Sequence, residues 1–178
     1  MYLLLDLPTF ICVDTLLVFY RADKFNRDLS KWQTGAVTNM DNMFQEAIKF
    51  NSDVSKWNLG AVVSTRQMFL KAIKFNRDLS KWDTSKIKMM ASMFCNADVF
   101  NQDLDTWNTG AVTDMTQMFY MANAFNGDVT NWNTRSLIKT EKMFYRASAF
   151  NGDLSQWNTA AVTDMTQSKY FFFCFANN

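Results

Sequence analysis

The chain has 178 residues and a formal net charge of +1, with 48% hydrophobic and 16% aromatic residues. This apolar content excludes a disordered chain, and the small net charge gives no general attraction to nucleic acid or to an anionic membrane. The chain has no histidine, the commonest general base and metal ligand, and its three cysteines (12, 95 and 174) are too widely spaced for a disulfide framework or a zinc site.

The first segment, residues 1–24, begins with an apolar stretch that invites comparison with a targeting peptide. It has no basic start and no small-residue cleavage site, and Asp6, Pro8 and Asp14 interrupt it. The two carboxylates also argue against a membrane span. Because several of its apolar residues fall in register with the repeats that follow, we predict a degenerate half-repeat that caps the fold. A signal-anchor remnant and a misassigned start are the alternatives.

Residues 25–167 repeat every 25 residues without an insertion. One column contains every tryptophan of the chain: Trp32, Trp57, Trp82, Trp107, Trp132 and Trp157. Two further columns contain phenylalanines and Met–Phe pairs, among them Phe50, Phe75, Phe100, Phe125, Met43, Phe44, Met118 and Phe119. A fixed period predicts stacked coils that bury their apolar columns against one another. These residues are therefore predicted to form the core.

Within one unit, residues 100–124, two patterns follow one another. Four apolar residues between Met115 and Ala122 recur at the spacing of one helical face, and Thr113 before them is a favourable N-cap residue. We therefore predict a short helix from Thr113 to about Ala122, with a short extended stretch earlier in the unit. The period also lies in the leucine-rich-repeat range. The predicted fold is a single right-handed α/β solenoid of leucine-rich-repeat type, with one short strand and one short helix per 25-residue turn, forming one domain over residues 1–178.

The last segment, residues 168–178, departs from the repeat. Ser168 and Lys169 replace the Met–Phe pair, and an aromatic run follows them. Because a terminal coil normally has a polar outer face, this atypical tail is interpreted as an apolar last turn, a partner-binding patch or the product of a truncated chain. Truncation is the favoured interpretation.

The run Phe-Asn-x-Asp-Leu-Ser-x-Trp-Asn/Asp-Thr-x-x-Val-Thr-Asp-Met-x-x-Met-Phe, present from about Phe19 to Gln167, resembles the repeat of BspA-type leucine-rich-repeat surface proteins. It is more closely similar to a 25-residue unit abundant in surface lipoproteins of wall-less bacteria. The resemblance implies a leucine-rich-repeat-like coil at the cell surface or secreted, with a role in adhesion or recognition. It brings no catalytic residues, and this chain has no clear signal peptide or anchor.

An aspartate recurs in each unit, at 28, 53, 78, 103, 128 and 153. We expect these carboxylates to cap local backbone N–H groups or turns. The alternative is a weak calcium site near Asp103, Asp105 and Asp128, where acidic oxygens are densest.

Two outward positions vary from unit to unit and are the predicted binding surface. Its candidate residues are Arg27, Lys31, Lys56, Arg77, Lys81, Gln102, Thr106, Asn131 and Gln156. A solvated, ion-paired face is the alternative interpretation of the basic positions, and the tryptophan column has a second interpretation as a stacking platform for sugars or bases. The charge is also uneven, since residues 1–89 contain 13 basic and 9 acidic residues and residues 90–178 contain 5 and 8.

The sequence predicts no enzyme and no cofactor. No carboxylate pair is set apart from the repeat, only five glycines are present, and no histidine is available to activate a serine. The predicted function is recognition or adhesion, with a protein or glycan bound by the outward columns and no nucleic acid partner. A purely structural spacer, or a fragment of a longer surface array, is the alternative, and calcium binding through the aspartate column is the third.

Overall fold

The computed structural model describes residues 17–167. In this range successive repeats lie directly on one another, and one isolated parallel β-bridge joins each coil to the next. The bridges pair residues 25 positions apart: Asn39 with Ser64, Ser64 with Met89, Met89 with Asp114, Asp114 with Lys139, and Lys139 with Asp164. Residues 17–167 contain no helix and no continuous strand. The fold is therefore a stack of irregular coils.

The predicted helix from Thr113 to Ala122 is wrong, and with it the α/β class of one strand and one helix per turn. This segment consists of consecutive turns in which Gln117 and Met121 have left-handed backbone angles, with φ of 56° and 54°. The N–H groups of residues 118, 120 and 122 donate to carbonyls three residues earlier, whereas those of 115, 117, 119 and 121 donate to the next coil at 2.8–2.9 Å. Alternate amides thus bond within the coil and between coils.

Stack spacing explains why a helix does not form. Packed α-helices lie about 8–10 Å apart, whereas the rings of Phe94 and Phe119 in adjacent coils have centroids 5.6 Å apart. Two left-handed residues four positions apart in each coil, such as Gln117 and Met121, bend the chain so that side chains spaced i, i+3, i+4 and i+7 still point inward. The apolar spacing is therefore the same as that of a helix, but every second backbone N–H of the segment donates to the neighbouring coil.

The predicted strand is also absent, and an asparagine ladder takes its place. The side-chain oxygen of Asn76 accepts the backbone N–H of Asn101 at 3.0 Å, and Asn101 accepts that of Asn126 at 2.7 Å. Asn26, Asn51 and Asn126 do the same for the residue 25 positions later. This ladder joins the coils along a side where a backbone ladder would otherwise be needed.

Aromatic side chains fill the interior. The column containing Phe44, Phe69, Phe94, Phe119 and Phe144 is 0–1% exposed, and its stacked rings lie 5.5–5.6 Å apart between coils. Each ring also stacks on the second phenylalanine of its own coil at 3.8–4.0 Å. Two phenylalanine columns therefore pack as one block that runs the length of the described chain.

The tryptophan column borders this block. The five tryptophans from Trp57 to Trp157 are 3–6% exposed, and Trp32 is half-buried. Each of the five donates its indole N–H to a leucine or valine carbonyl of the preceding coil, as Trp107 does to Leu79 at 3.0 Å. The same carbonyl also accepts a backbone N–H of its own coil, as that of Leu79 accepts Trp82 N–H at 3.1 Å. A smaller apolar side chain would remove the second donor, the one that joins two coils, which gives a physical reason for tryptophan here.

The segment boundaries predicted from the sequence fall partly outside the described residues. Most of the predicted cap, residues 1–16, and the whole aromatic tail, residues 168–178, lie there. The division into cap, repeats and tail within one domain stays a prediction.

A charged face as the candidate functional site

One side of the stack presents all nine of the outward candidates. In each coil the chain turns at two corners, such as 23–24 and 30–31, and runs without regular structure between them. Phe25 and Leu29 anchor the first such segment to the core, so the residues between and beside them face solvent. We call this side the charged face and define it by six rows: residues 23–31, 48–56, 73–81, 98–106, 123–131 and 148–156.

All nine binding candidates from the sequence lie on the charged face. Gln102 is half-buried. The other eight are exposed, namely Arg27, Lys31, Lys56, Arg77, Lys81, Thr106, Asn131 and Gln156. Three of the nine bond to the preceding row. Arg77 donates through Nε to the Asn51 carbonyl at 2.6 Å, Gln102 donates to the Asn76 side chain at 2.7 Å, and Thr106 donates to the Ser80 carbonyl at 2.9 Å.

Charge divides the face into two halves of opposite sign. The first three rows contain eight basic residues, namely Lys24, Arg27, Lys31, Lys49, Lys56, Lys74, Arg77 and Lys81, against four acidic ones, namely Asp23, Asp28, Asp53 and Asp78. The last three rows contain no basic residue and five acidic ones, namely Asp98, Asp103, Asp105, Asp128 and Asp153. The formal charge is therefore +4 for the first half, from eight basic and four acidic residues, and −5 for the second half, from five acidic residues alone.

Most of the recurring aspartates close a local turn. The carboxylates of Asp28, Asp53, Asp78 and Asp153 each accept the backbone N–H of the serine two residues later at 2.8 Å. This hydrogen bond is the main reason that their pKa values lie below the ordinary 3.8. At Asp128 the main cause of the lowered pKa is the Thr130 hydroxyl, which donates to it at 2.6 Å.

We expect the stability of the stack to fall in acid because of these turns. A carboxylate whose pKa is lower when folded than when unfolded stabilises the fold above its unfolded pKa, and this contribution is lost as the pH falls through the folded value. The unfolding temperature should therefore be nearly constant above about pH 5 and fall below the ordinary aspartate value of 3.8.

A variant with asparagine at 28, 53, 78, 128 and 153 tests this expectation, because an amide oxygen still accepts the turn hydrogen bond but does not titrate. Thermal unfolding followed by circular dichroism should show a shallower loss in acid for the variant. An acid loss as steep as that of the parent chain would contradict the assignment of pH sensitivity to these turns.

The three residues proposed for calcium are not arranged as a site. One carboxylate oxygen of Asp103 accepts the backbone N–H of Asp128 at 3.0 Å, and the Asp128 carboxylate is bonded to Thr130. Within residues 17–167 no three His, Cys, Asp or Glu side chains are grouped to hold a metal ion.

An open groove of about 460 Å³ borders the charged face. Glu46 lies at its centre and pairs with Arg21 at 2.9 Å and with Lys71 at 3.4 Å. Ile48, which is 41% exposed, and Ile73 line it beside these pairs. Sequence reasoning missed this groove because Arg21 was assigned to the cap, and the positions of Glu46 and Lys71 to the helix of their repeats. All three have left-handed φ of 56–59° and turn their side chains to one edge.

Comparison with known proteins gives one match. The chain fits the family described as Mycoplasma protein of unknown function, DUF285, over residues 12–97 and again over 73–175. This agrees with the resemblance to repeats of wall-less bacteria, whereas the BspA and leucine-rich-repeat assignments gain no support from it. Comparisons with curated proteins and with solved structures gave no significant match. Among residues 17–167 no helix has the length and hydrophobicity to cross a membrane.

Proposed function

This chain belongs to the DUF285 family, and from that premise we propose that it is a non-enzymatic recognition protein whose charged face binds a protein or a glycan. The recurring apolar columns of the repeat form its core, and the variable columns lie on its outer surface. The proposal assigns binding to the latter.

One observation supports this proposal above the others, namely the contrast between a constant interior and a changing face. The interior holds tryptophan at the same position in all six repeats, and no buried side-chain nitrogen or oxygen in residues 17–167 lacks a hydrogen-bond partner. On the face, one column reads Arg27, Ser52, Arg77, Gln102, Gly127 and Gly152, and another reads Lys31, Lys56, Lys81, Thr106, Asn131 and Gln156. A stack held by its interior is free to vary at such columns, as binding surfaces of repeat proteins do.

The second candidate is a spacer that has no ligand. The hydrogen bonds between coils favour it, because they make the stack a continuous unit that is suited to hold other parts of a longer chain at a distance. A spacer requires only a soluble surface, so substitutions on the charged face would have no effect on binding to cells or to matrix.

A paired alanine experiment separates the two. One variant replaces Lys31, Lys56 and Lys81 on the face, and a control replaces Lys86, Lys88 and Lys139 elsewhere, so that both lose three charges. Binding of the labelled chain to cultured cells and to glycan-coated and matrix-coated surfaces is then measured. We expect the face variant to bind about tenfold more weakly or worse and the control to bind like the parent chain. Equal binding by all three chains would support the spacer.

A further inference from the structure

We propose that the charged face binds a second copy of this chain, face to face and with the two stacks antiparallel. The inference rests on the proposed function, since it names the partner of the same recognition surface. Its physical basis is that one face of the molecule has a basic half and an acidic half, so that two copies can pair each half with its opposite.

Complementarity holds row by row. From the first row to the sixth, the formal charges are +1, +1, +2, −3, −1 and −1. Antiparallel pairing brings row one to row six, row two to row five and row three to row four. The paired charges are then +1 with −1, +1 with −1, and +2 with −3, so every row meets one of opposite sign.

The other orientation is repulsive. If the two stacks ran parallel, each row would face its own equivalent, and +2 would face +2 while −3 faced −3. A two-fold axis between rows three and four satisfies every pair at once, as an isologous dimer interface requires. Complementary potentials of this kind select partner and orientation.

The groups that carry the charge are available for such pairing. Lys56, Lys74 and Lys81 are exposed, as are Asp98 and Asp103. The four ion pairs of residues 17–167 that are within 4 Å involve Arg21, Glu46, Arg66, Lys71, Asp114, Glu141 and Lys142, all of which lie off the charged face. In the dimer, Asp103 of one copy would lie near Arg77 and Lys81 of the other copy. These two residues flank the recurring aspartate of that row.

The size of the face sets the strength expected. Six rows spaced by about 4.8 Å extend roughly 30 Å with their side chains, which places the contact at the lower end of specific interfaces, near or below about 600 Å² per partner. We expect a weak dimer whose dissociation constant rises at least about tenfold between about 20 mM and 500 mM NaCl, because exposed charges are screened within a few ångströms at high salt.

Charge exchange tests the proposal with the purified chain. The acidic-face variant carries Lys74→Glu and Lys81→Glu, and the basic-face variant carries Asp98→Lys and Asp105→Lys. Sedimentation velocity at low salt should show each variant alone as a monomer and their equimolar mixture as a dimer. The control, Lys86→Glu and Lys88→Glu, changes net charge as the acidic-face variant does and should dimerise like the parent chain. Circular dichroism shows that each variant is folded.

Several results would overturn this inference. These are a monomeric parent chain at low salt, variants that associate alone as well as the parent chain does, or a mixture of the two variants that stays monomeric. If the whole chain does not self-associate but is retained on heparin or on anionic vesicles through its basic half, the partner would be an anion instead. None of these results would remove the proposed recognition function, because that is measured separately as loss of binding to cells or coated surfaces in the alanine variant.

Discussion

Replacing Gly127 with alanine should destabilise the stack by about 3 kcal/mol or more. The added methyl group would clash with backbone atoms, which cannot move aside as a flexible side chain can. A Cβ at this position would lie 2.1 Å from the carbonyl oxygen of Gln102 and 2.8 Å from its carbon. No real structure holds atoms that close, so the fourth and fifth coils would have to separate. For a chain of this length, that loss lowers the unfolding temperature by roughly 6–12 °C.

The neighbouring bonds show what such a separation would break. The N–H of Leu104 donates to the Asp128 carbonyl at 2.9 Å, and the N–H of Asp128 donates to the Asp103 carboxylate at 3.0 Å. Both bonds cross the same junction between coils. Gly127 is therefore required for close approach of two backbones, and its φ is not left-handed.

Gly110 provides the control for this prediction. A Cβ there would meet only side-chain atoms, with Asn133 Nδ2 at 3.2 Å and Asn108 Oδ1 at 3.3 Å. Alanine at Gly110 should change the free energy of unfolding by less than about 1 kcal/mol, because amide side chains can shift and alanine reduces the entropy of the unfolded chain. Urea titrations of both variants measure the difference. Equal stability of the two would contradict the close approach at Gly127.

The sequence predicted which residues face inward better than it predicted the path of the backbone. Period alone placed the Trp, Phe and Met columns, because stacked coils repeat their contacts at the repeat length. It did not distinguish a helix from consecutive turns, since the apolar residues of both recur at three and four positions. The decisive property is the left-handed φ at residues such as Gln117 and Met121, and neither residue type favours that region.

The candidate site shows the same limit. The varying columns and the uneven charge were visible in the sequence, and together they pointed to the positions that now form the charged face. The division of this face into a basic and an acidic half depends on which rows lie side by side, and the stacked structure shows this. The role of Asn76 and its equivalents was also missed, although an asparagine at the same position of every unit was a usable signal for a side-chain ladder.

Replacing Phe94 with alanine should cost about 3–5 kcal/mol, as expected for a large ring removed from a core that cannot collapse. Phe94 is fully buried and stacks on Phe69 and Phe119, each 5.6 Å away, and on Phe100 at 4.0 Å. Hydrogen bonds between coils fix the spacing above and below it, so the neighbouring rings cannot close the cavity. Because each coil is stabilised by its neighbours, hydrogen exchange should increase on both sides of this coil.

Phe144→Ala is the matched comparison, because its ring is equally buried but lies nearer the end of the repeats. It stacks on Phe119 at 5.5 Å and on Phe150 at 4.0 Å. Among residues 17–167 it has one aromatic neighbour fewer along the column than Phe94, so its loss should cost about 1 kcal/mol less. Faster exchange should also be confined to the last coils, since local opening there leaves the rest of the stack intact. If both variants lost equal stability and exchanged faster along the whole chain, the coils would be unfolding as one cooperative block, without the nearest-neighbour coupling that the stack implies.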